Sequence, residues 1–245
     1  MITLIGTGHV FDLRRRLQRE VLERTPDVVC LELDPGRLQA LLARQRGARK
    51  ADVPVAYRLL AEFQDRVASE RGIAPGDEML AAFEAAQLAK VPVELIDLDA
   101  QVAFKRLWSS MGLFEKARFL GSALVGMVVP KRFVDKELER IQEDYEGVFA
   151  QLARDYPTVK RVLIDERNAH MAARLAGLRG QGKERIVAVI GDGHVDGITA
   201  LLGQQGYAAE LQAVRLRDLQ ATQPQGPASV QFSTTVPWQP PPSQP

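Results

Sequence analysis

Four short apolar runs punctuate the chain, and each ends in glycine or charged residues. They lie in "MITLIGTG", "VVCLELD", "VPVELIDLD" and "RIVAVIGDG". Their length, β-branched content and turn-forming borders predict four buried strands. Between the first two, Leu13, Leu17, Val21 and Leu22 recur at helical spacing, and Pro26 closes the segment. Asp34-Pro35-Gly36 reads as a turn, and "RLQALLARQR" as a second helix. Residues 47–53 are polar and basic, an expected exposed loop. A helical pattern covers residues 55–90, broken near "GIAPGDE", and another covers 103–175, punctuated near Pro130 and Pro157. Residues 197–203 open a helix over the end of the fourth strand.

Strands alternating with helices predict an α/β fold: a small, mostly parallel sheet with flanking helices and a long helical insertion before the last strand. One domain is expected over residues 1–219. Residues 220–245 are rich in Pro, Gln, Ser and Thr and read as a mobile or extended tail.

Composition changes this picture little. Of 245 residues, 46% are hydrophobic and 26% charged, as in ordinary soluble domains. Lys and Arg number 32 against 31 Asp and Glu, so the balance gives no polyanion signal and no nucleic-acid partner is expected. The lone Cys30 lies in an apolar run and reads as a buried structural thiol, allowing a reducing compartment. The charged stretch "DLRRRLQRE" near the start predicts no secretion signal. A cytoplasmic location follows, with association at a membrane surface left open. The apolar stretch "FLGSALVGMVV" at 119–129 is too short to span a bilayer. With basic residues on both sides it reads as a buried helix or a peripheral membrane contact.

The chemistry gathers at the strand ends. Gly6-Thr7-Gly8-His9 follows the first strand, Glu32 and Asp34 the second, Asp97 and Asp99 the third, and Gly191-Asp192-Gly193-His194 the fourth. In open parallel sheets ligands bind outside the carboxyl ends of the strands, so these groups are expected along one rim. Two histidines and Glu32 suit a catalytic divalent ion with an open position. The same residues without metal suit a histidine general base steered by a carboxylate. His170, on a helix, has a surface or boundary role. In "VLIDERNAHMAARL", Asp165 or Asn168 could cap a helix. Alternatively, Arg167 and Asn168 point into the rim to bind a carboxylate or an oxyanion. Asp77 could cap a helix, and Glu78 could supply a further carboxylate.

The blocks "GTGHV", "PDVVCLELDPGRLQAL", "GDEMLAAFEAAQLAKVPVELIDLDAQVAFKRLW", "VKRVLIDERNAHMA" and "VAVIGDGHVDGI" occur in this order over most of residues 1–219. Together they resemble the TraB family of pheromone-shutdown proteins within the Tiki-like superfamily. The resemblance implies a compact α/β fold shared with proposed metalloproteases, erythromycin-esterase-like hydrolases and ChaN-like haem-binding lipoproteins. It places the family's two Gly-x-x-His motifs on His9 and His194, its acidic residue on Glu32, and its Glu-Arg-Asn motif on Glu166, Arg167 and Asn168. Arg37, Glu78, Asp97, Asp99 and Arg106 occupy family-typical positions, with Arg37, Glu78 and Arg106 the candidates for substrate contact. Many members carry a C-terminal membrane region, where this chain has its Pro-rich tail.

The implied function is a metal-dependent, peptidase-like hydrolase. His9, His194 and Glu32 hold Zn, Mn or Co, and Glu166, Arg167 and Asn168 complete the catalytic group. The implied partner is a peptide or small signal molecule. A binding protein that sequesters such a ligand in the same cleft is the alternative. The helical insertion also offers apolar surface for a homodimer.

Overall fold

The computed structural model describes residues 1–8, 13–46, 76–118 and 154–221. The expectations for His9, the loop at 47–53, the helical pattern at 55–75, the apolar stretch at 119–129 and the tail from 222 lie outside them.

All four expected strands form: β1 (Ile2–Thr7), β2 (Val28–Leu31), β3 (Val93–Leu95) and β4 (Ile186–Gly191). A fifth, β5 (Leu211–Val214), also forms. Its four residues, "LQAV", are only partly apolar and lie half-buried or exposed on an edge, so they carry too little hydrophobic pattern to be read as a strand. Among the described residues the insertion therefore precedes the fourth strand of five. All pairings are parallel, in the order β3-β2-β4-β1-β5. β4 thus separates β1 from β2, and its ends carry the chemistry of both neighbours.

Alternation along the buried strands divides the core between two faces. Ile5, Val29, Leu31, Val187 and Val189 pack against α1 (Arg14–Glu23), α2 (Pro35–Gln45) and α3 (Asp77–Ala89). Ile2, Leu4, Val28, Ala188 and Ile190 pack against α5 (Glu166–Gly180) and α6 (Asp192–Leu202). α4 (Ala100–Ser110) follows β3, and α7 (Leu216–Ala221) follows β5. The result is a three-layer α/β/α sandwich. Fully burying a side chain such as Leu17 or Leu175 contributes about 2 kcal/mol. Cys30 is fully buried, and burial pushes its thiol up, as suits a structural residue.

Local rules explain most helix borders. Leu13, Leu17 and Val21 are buried as their spacing predicts, whereas Leu22, one residue further round α1, is 37% exposed. Asp34 caps α2, accepting from the Arg37 N–H at 2.9 Å, with Pro35 at the first helical position. α3 buries Ala81, Ala82, Ala85 and Ala86, whose small side chains allow close approach to α1 and β2. The residue capping α3 is Gly76 at φ 86°, a left-handed conformation that glycine adopts without strain. Asp77 is already inside the helix and bonds Arg44 at 2.6 Å, so it is not the expected cap. Among the described residues no helix is long and apolar enough to cross a membrane.

Candidate functional site

Because β2 and β4 are neighbours, Glu32 and Gly191 emerge side by side at their carboxyl ends. Glu32 Oε2 accepts the Gly191 N–H at 2.6 Å, at the point where the chain leaves β4 and enters α6. That exit from a strand into a helix puts His194 in the first turn of α6, 6% exposed, with Nε2 3.5 Å from Glu32 Oε1. The residue that caps α6 thus gives its N–H to the carboxylate.

The opposite ring nitrogen is held. Asn168, 5% exposed in the first turn of α5, places its side-chain oxygen 2.6 Å from His194 Nδ1. A carbonyl oxygen can only accept, so the neutral ring carries its proton on Nδ1 and leaves the Nε2 lone pair facing Glu32. Burial pushes the imidazole below its ordinary value; Glu32 opposes that shift and Arg167 adds to it. The packing depends on a glycine. A Cβ at Gly197 would lie 2.2 Å from Asn168 Nδ2, so α5 and α6 approach closely only because position 197 has no side chain.

A guanidinium clamp secures the carboxylates. Arg167 Nη2 donates to Glu32 Oε1 and, at 2.7 Å, to Asp97 Oδ2, while its Nε donates to Asp97 Oδ1 at 2.9 Å. Its Nη1 reaches the Leu163 carbonyl at 3.2 Å, in the π-turn Arg161–Asp165 that leads into α5. Arg37 Nη2 donates to the same Asp97 oxygen, and its Nε to Asp34 Oδ2 at 2.7 Å. Burial pushes the Asp97 carboxyl up, but Arg167 and Arg37 outweigh it and hold it below the usual carboxylate range. Burial likewise works against the charge on Arg167, and Asp97 and Glu32 more than restore it. Three carboxylates thus face two guanidiniums around a neutral imidazole.

The remaining sequence candidates separate clearly. Glu166 forms an ion pair with Arg106 Nε at 2.7 Å and accepts a hydrogen bond from Arg161 Nη1 at 2.8 Å, beside the clamp. Glu78 is buried in the first turn of α3, in the layer of α1 and α2. Asp99 caps α4, accepting from Gln101 and Val102. Asp165 pairs with Lys160 and Asn168 with His194, so neither side chain caps α5. His170 is half-buried on α5. His9, the expected third ligand, lies outside the described residues. Among those described, no group of three or more His, Cys, Asp and Glu side chains is arranged to hold a metal ion.

Two aspartates have roles that their place in the sequence does not reveal. Asp97 stands out there only as a charge at a strand end, yet it is the hub of the clamp. Asp192, first residue of α6, holds Arg215 through bonds of 3.1 and 2.9 Å and accepts the Leu216 N–H at 2.9 Å. This ties β5 and α7 to the turn that carries His194. A Cβ on Gly6 would lie 2.2 Å from Asp192 Oδ1, which gives the glycine of the first Gly-x-x-His motif a packing reason. The readable signal for Gly197 is a glycine inside a helix three residues after His194, a costly choice without a packing purpose.

A model of the TraB/PrgY/gumN family matches residues 1–211. An uncharacterized protein of Methanocaldococcus jannaschii is 32% identical over 213 residues, covering 82% of this chain and 53% of the relative. The chain therefore spans about half the length of that curated relative. The family match runs from β1 to the first residue of β5 and takes in Glu32, the Arg167 clamp, Asn168 and both Gly-x-x-His motifs. On that extent, the chain belongs to the TraB/PrgY/gumN family.

Proposed function

We propose that the protein is a hydrolase of peptides or small signal molecules, in which His9, His194 and Glu32 hold a divalent ion such as Zn, Mn or Co. The observation that carries this reading is the fixed ring of His194. Its Nδ1 lies 2.6 Å from a buried amide oxygen, and its Nε2 lies 3.5 Å from an anchored carboxylate.

The two described donors are spaced to share such an ion. Nε2 and Glu32 Oε1 lie 3.5 Å apart, the separation of two ligands each about 2.1 Å from one ion at a near-tetrahedral angle. An amide oxygen on the far nitrogen is the outer-shell partner that metal-binding imidazoles require. Arg167 shares Oε1, but its two bonds to Asp97 would keep it in place if that oxygen turned to a metal. Such an ion supplies a water ionised near neutral pH and a Lewis acid for a carbonyl.

The chain's own residues do the rest. Asn168 keeps the His194 proton on Nδ1, so the lone pair at Nε2 is available across the neutral range. Arg167 holds the Glu32 carboxylate in place beside the ring through its bond to Oε1. The same geometry supports a second, metal-free reading. His194 Nε2 takes a proton from water as its oxygen adds to the carbonyl, and Glu32 stabilises the imidazolium. The imidazolium returns the proton to the amine or alkoxide that leaves as the tetrahedral intermediate collapses to the acid.

The test is turnover of a quenched fluorescent peptide pool and a panel of acyl esters, with and without Zn, Mn or Co, by wild type, His194→Gln and Glu32→Gln. Turnover by wild type that falls about a hundredfold or more in His194→Gln is the expected result. Peptide binding with no product under any condition would overturn it in favour of sequestration.

A further inference from the structure

The cation that the sequence assigns to the substrate is already spent. Four of the N–H bonds available to Arg167 go to Glu32, twice to Asp97 and to the Leu163 carbonyl. Asn168 is likewise committed to His194. Arg167 is therefore not free to grip an incoming ligand, and the Asn168 oxygen is taken.

The neighbouring pair is in the opposite condition. Arg106, on α4, and Arg161, in the π-turn, are 62% and 51% exposed. Among the described residues Arg161 directs one hydrogen bond at one oxygen of the Glu166 carboxylate, and Arg106 forms an ion pair with the other. Each therefore keeps at least four N–H donors, and the trio carries one net positive charge. Lys160, next to Arg161, is neutralised by both oxygens of Asp165 at 2.6 and 2.7 Å, so it does not compete. Glu166 immediately precedes Arg167 and stands two residues before Asn168, in the turn that opens α5. α4 enters the same rim, because its first N–H, from Ala100, bonds Asp34 of the clamp at 3.3 Å. The apolar cluster of Leu107, Met111, Val159 and Val162 fixes α4 against the 157–165 segment, so the two arginines are held in register by packing.

We propose that Arg106 and Arg161 form the anion subsite of this centre and take a carboxylate of the substrate, such as the C-terminal group of a peptide. Glu166 is the shared counter-charge that holds the two planar guanidiniums as a pair, each presenting a fork suited to bidentate recognition. Read as substrate recognition, this rests on the hydrolase reading above, but its binding test does not depend on turnover.

The experiment is an NMR titration of the 15N-labelled full chain with N-acetyl-trialanine and, separately, with its C-terminal amide. The arginine Nε–H signals and the His194 ring signals are followed together. The free acid should move the Arg106 and Arg161 signals and bind about tenfold or more tightly than the amide. Arg106→Gln and Arg161→Gln should each reduce that preference, and the double variant should abolish it, with the His194 signals unmoved as the check that the centre is intact. Equal binding of acid and amide, or a preference that survives in the double variant, would overturn the proposal. If turnover is found but the acid is not preferred, the subsite fails and the hydrolase reading stands. If the acid is preferred but no substrate is cleaved, the reverse holds.

Discussion

Replacing Gly197 by Ala tests whether the close approach of α5 and α6 is what fixes the His194 ring. The new Cβ would sit 2.2 Å from Asn168 Nδ2 and 3.1 Å from its Cγ. Asn168 cannot swing aside freely, because it is 5% exposed and bonded to His194 at 2.6 Å. Overpacking of this kind costs about 1–3 kcal/mol. Loss of the buried hydrogen bond adds about 1 kcal/mol. Alanine regains about 1 kcal/mol of helix propensity over glycine. The net is a destabilisation of about 2 kcal/mol, which for a chain of this size lowers Tm by about 4–8 °C. Gly177, inside α5 with no atom within 4 Å of an added Cβ, is the matched control. There Ala should stabilise by up to about 1 kcal/mol. Thermal unfolding of both variants gives the energies, and 15N chemical shifts of the His194 ring report which nitrogen is protonated. Gly197→Ala should lose stability and the fixed Nδ1–H form together. A Gly197→Ala protein as stable as Gly177→Ala, with the Nδ1–H form retained, would refute the reasoning.

Two further outcomes follow from the buried charges. Asp97→Asn removes the carboxylate that Arg167 and Arg37 share, leaving Arg167 with Glu32 and Arg37 with Asp34, and should cost about 1–3 kcal/mol, read as a lower urea midpoint. A change within error would show that the clamp carries little of the fold. His194 is held below its unfolded value of about 6.5, so the unfolded chain binds the extra proton between that value and the lower folded one. The contribution of the neutral ring is therefore complete above pH about 6.5 and lost as the pH falls below it, at up to about 1.4 kcal/mol per pH unit. Urea unfolding between pH 5 and 7.5 should show that slope in wild type and not in His194→Gln; parallel profiles would contradict the assignment.

How much of the molecule is legible in its sequence depends on the kind of interaction. β1, β2 and β4 are legible because a strand buried on both faces must be apolar throughout, and its end is marked where charge begins. β3, a half-buried edge strand, is legible because Val93 and Leu95 stand in a mostly apolar run that closes at Asp97. The same logic finds Glu32 and His194, since a polar group directly after such a run lies on the rim of a parallel sheet. β5 escapes because an edge strand needs no continuous apolar pattern. Arg167 and Asn168 do lie on the rim, but their partners are supplied by β3 and α6, so local sequence cannot tell a ligand-facing side chain from one committed to the protein. Asp165 illustrates the converse: its position fits a helix cap, yet the π-turn before α5 carries it to Lys160. The packing role of Gly6 against Asp192 joins residues at opposite ends of the chain and leaves no trace in either neighbourhood.

Whether the two Gly-x-x-His motifs meet in one site is the central question, and a direct test is titration calorimetry with Zn, Mn and Co on wild type, His9→Gln and His194→Gln, with circular dichroism to confirm folding. A shared site predicts about one ion bound per chain in wild type and none in either folded variant. Binding that persists in both variants, or its absence from a well-folded wild type, would contradict it.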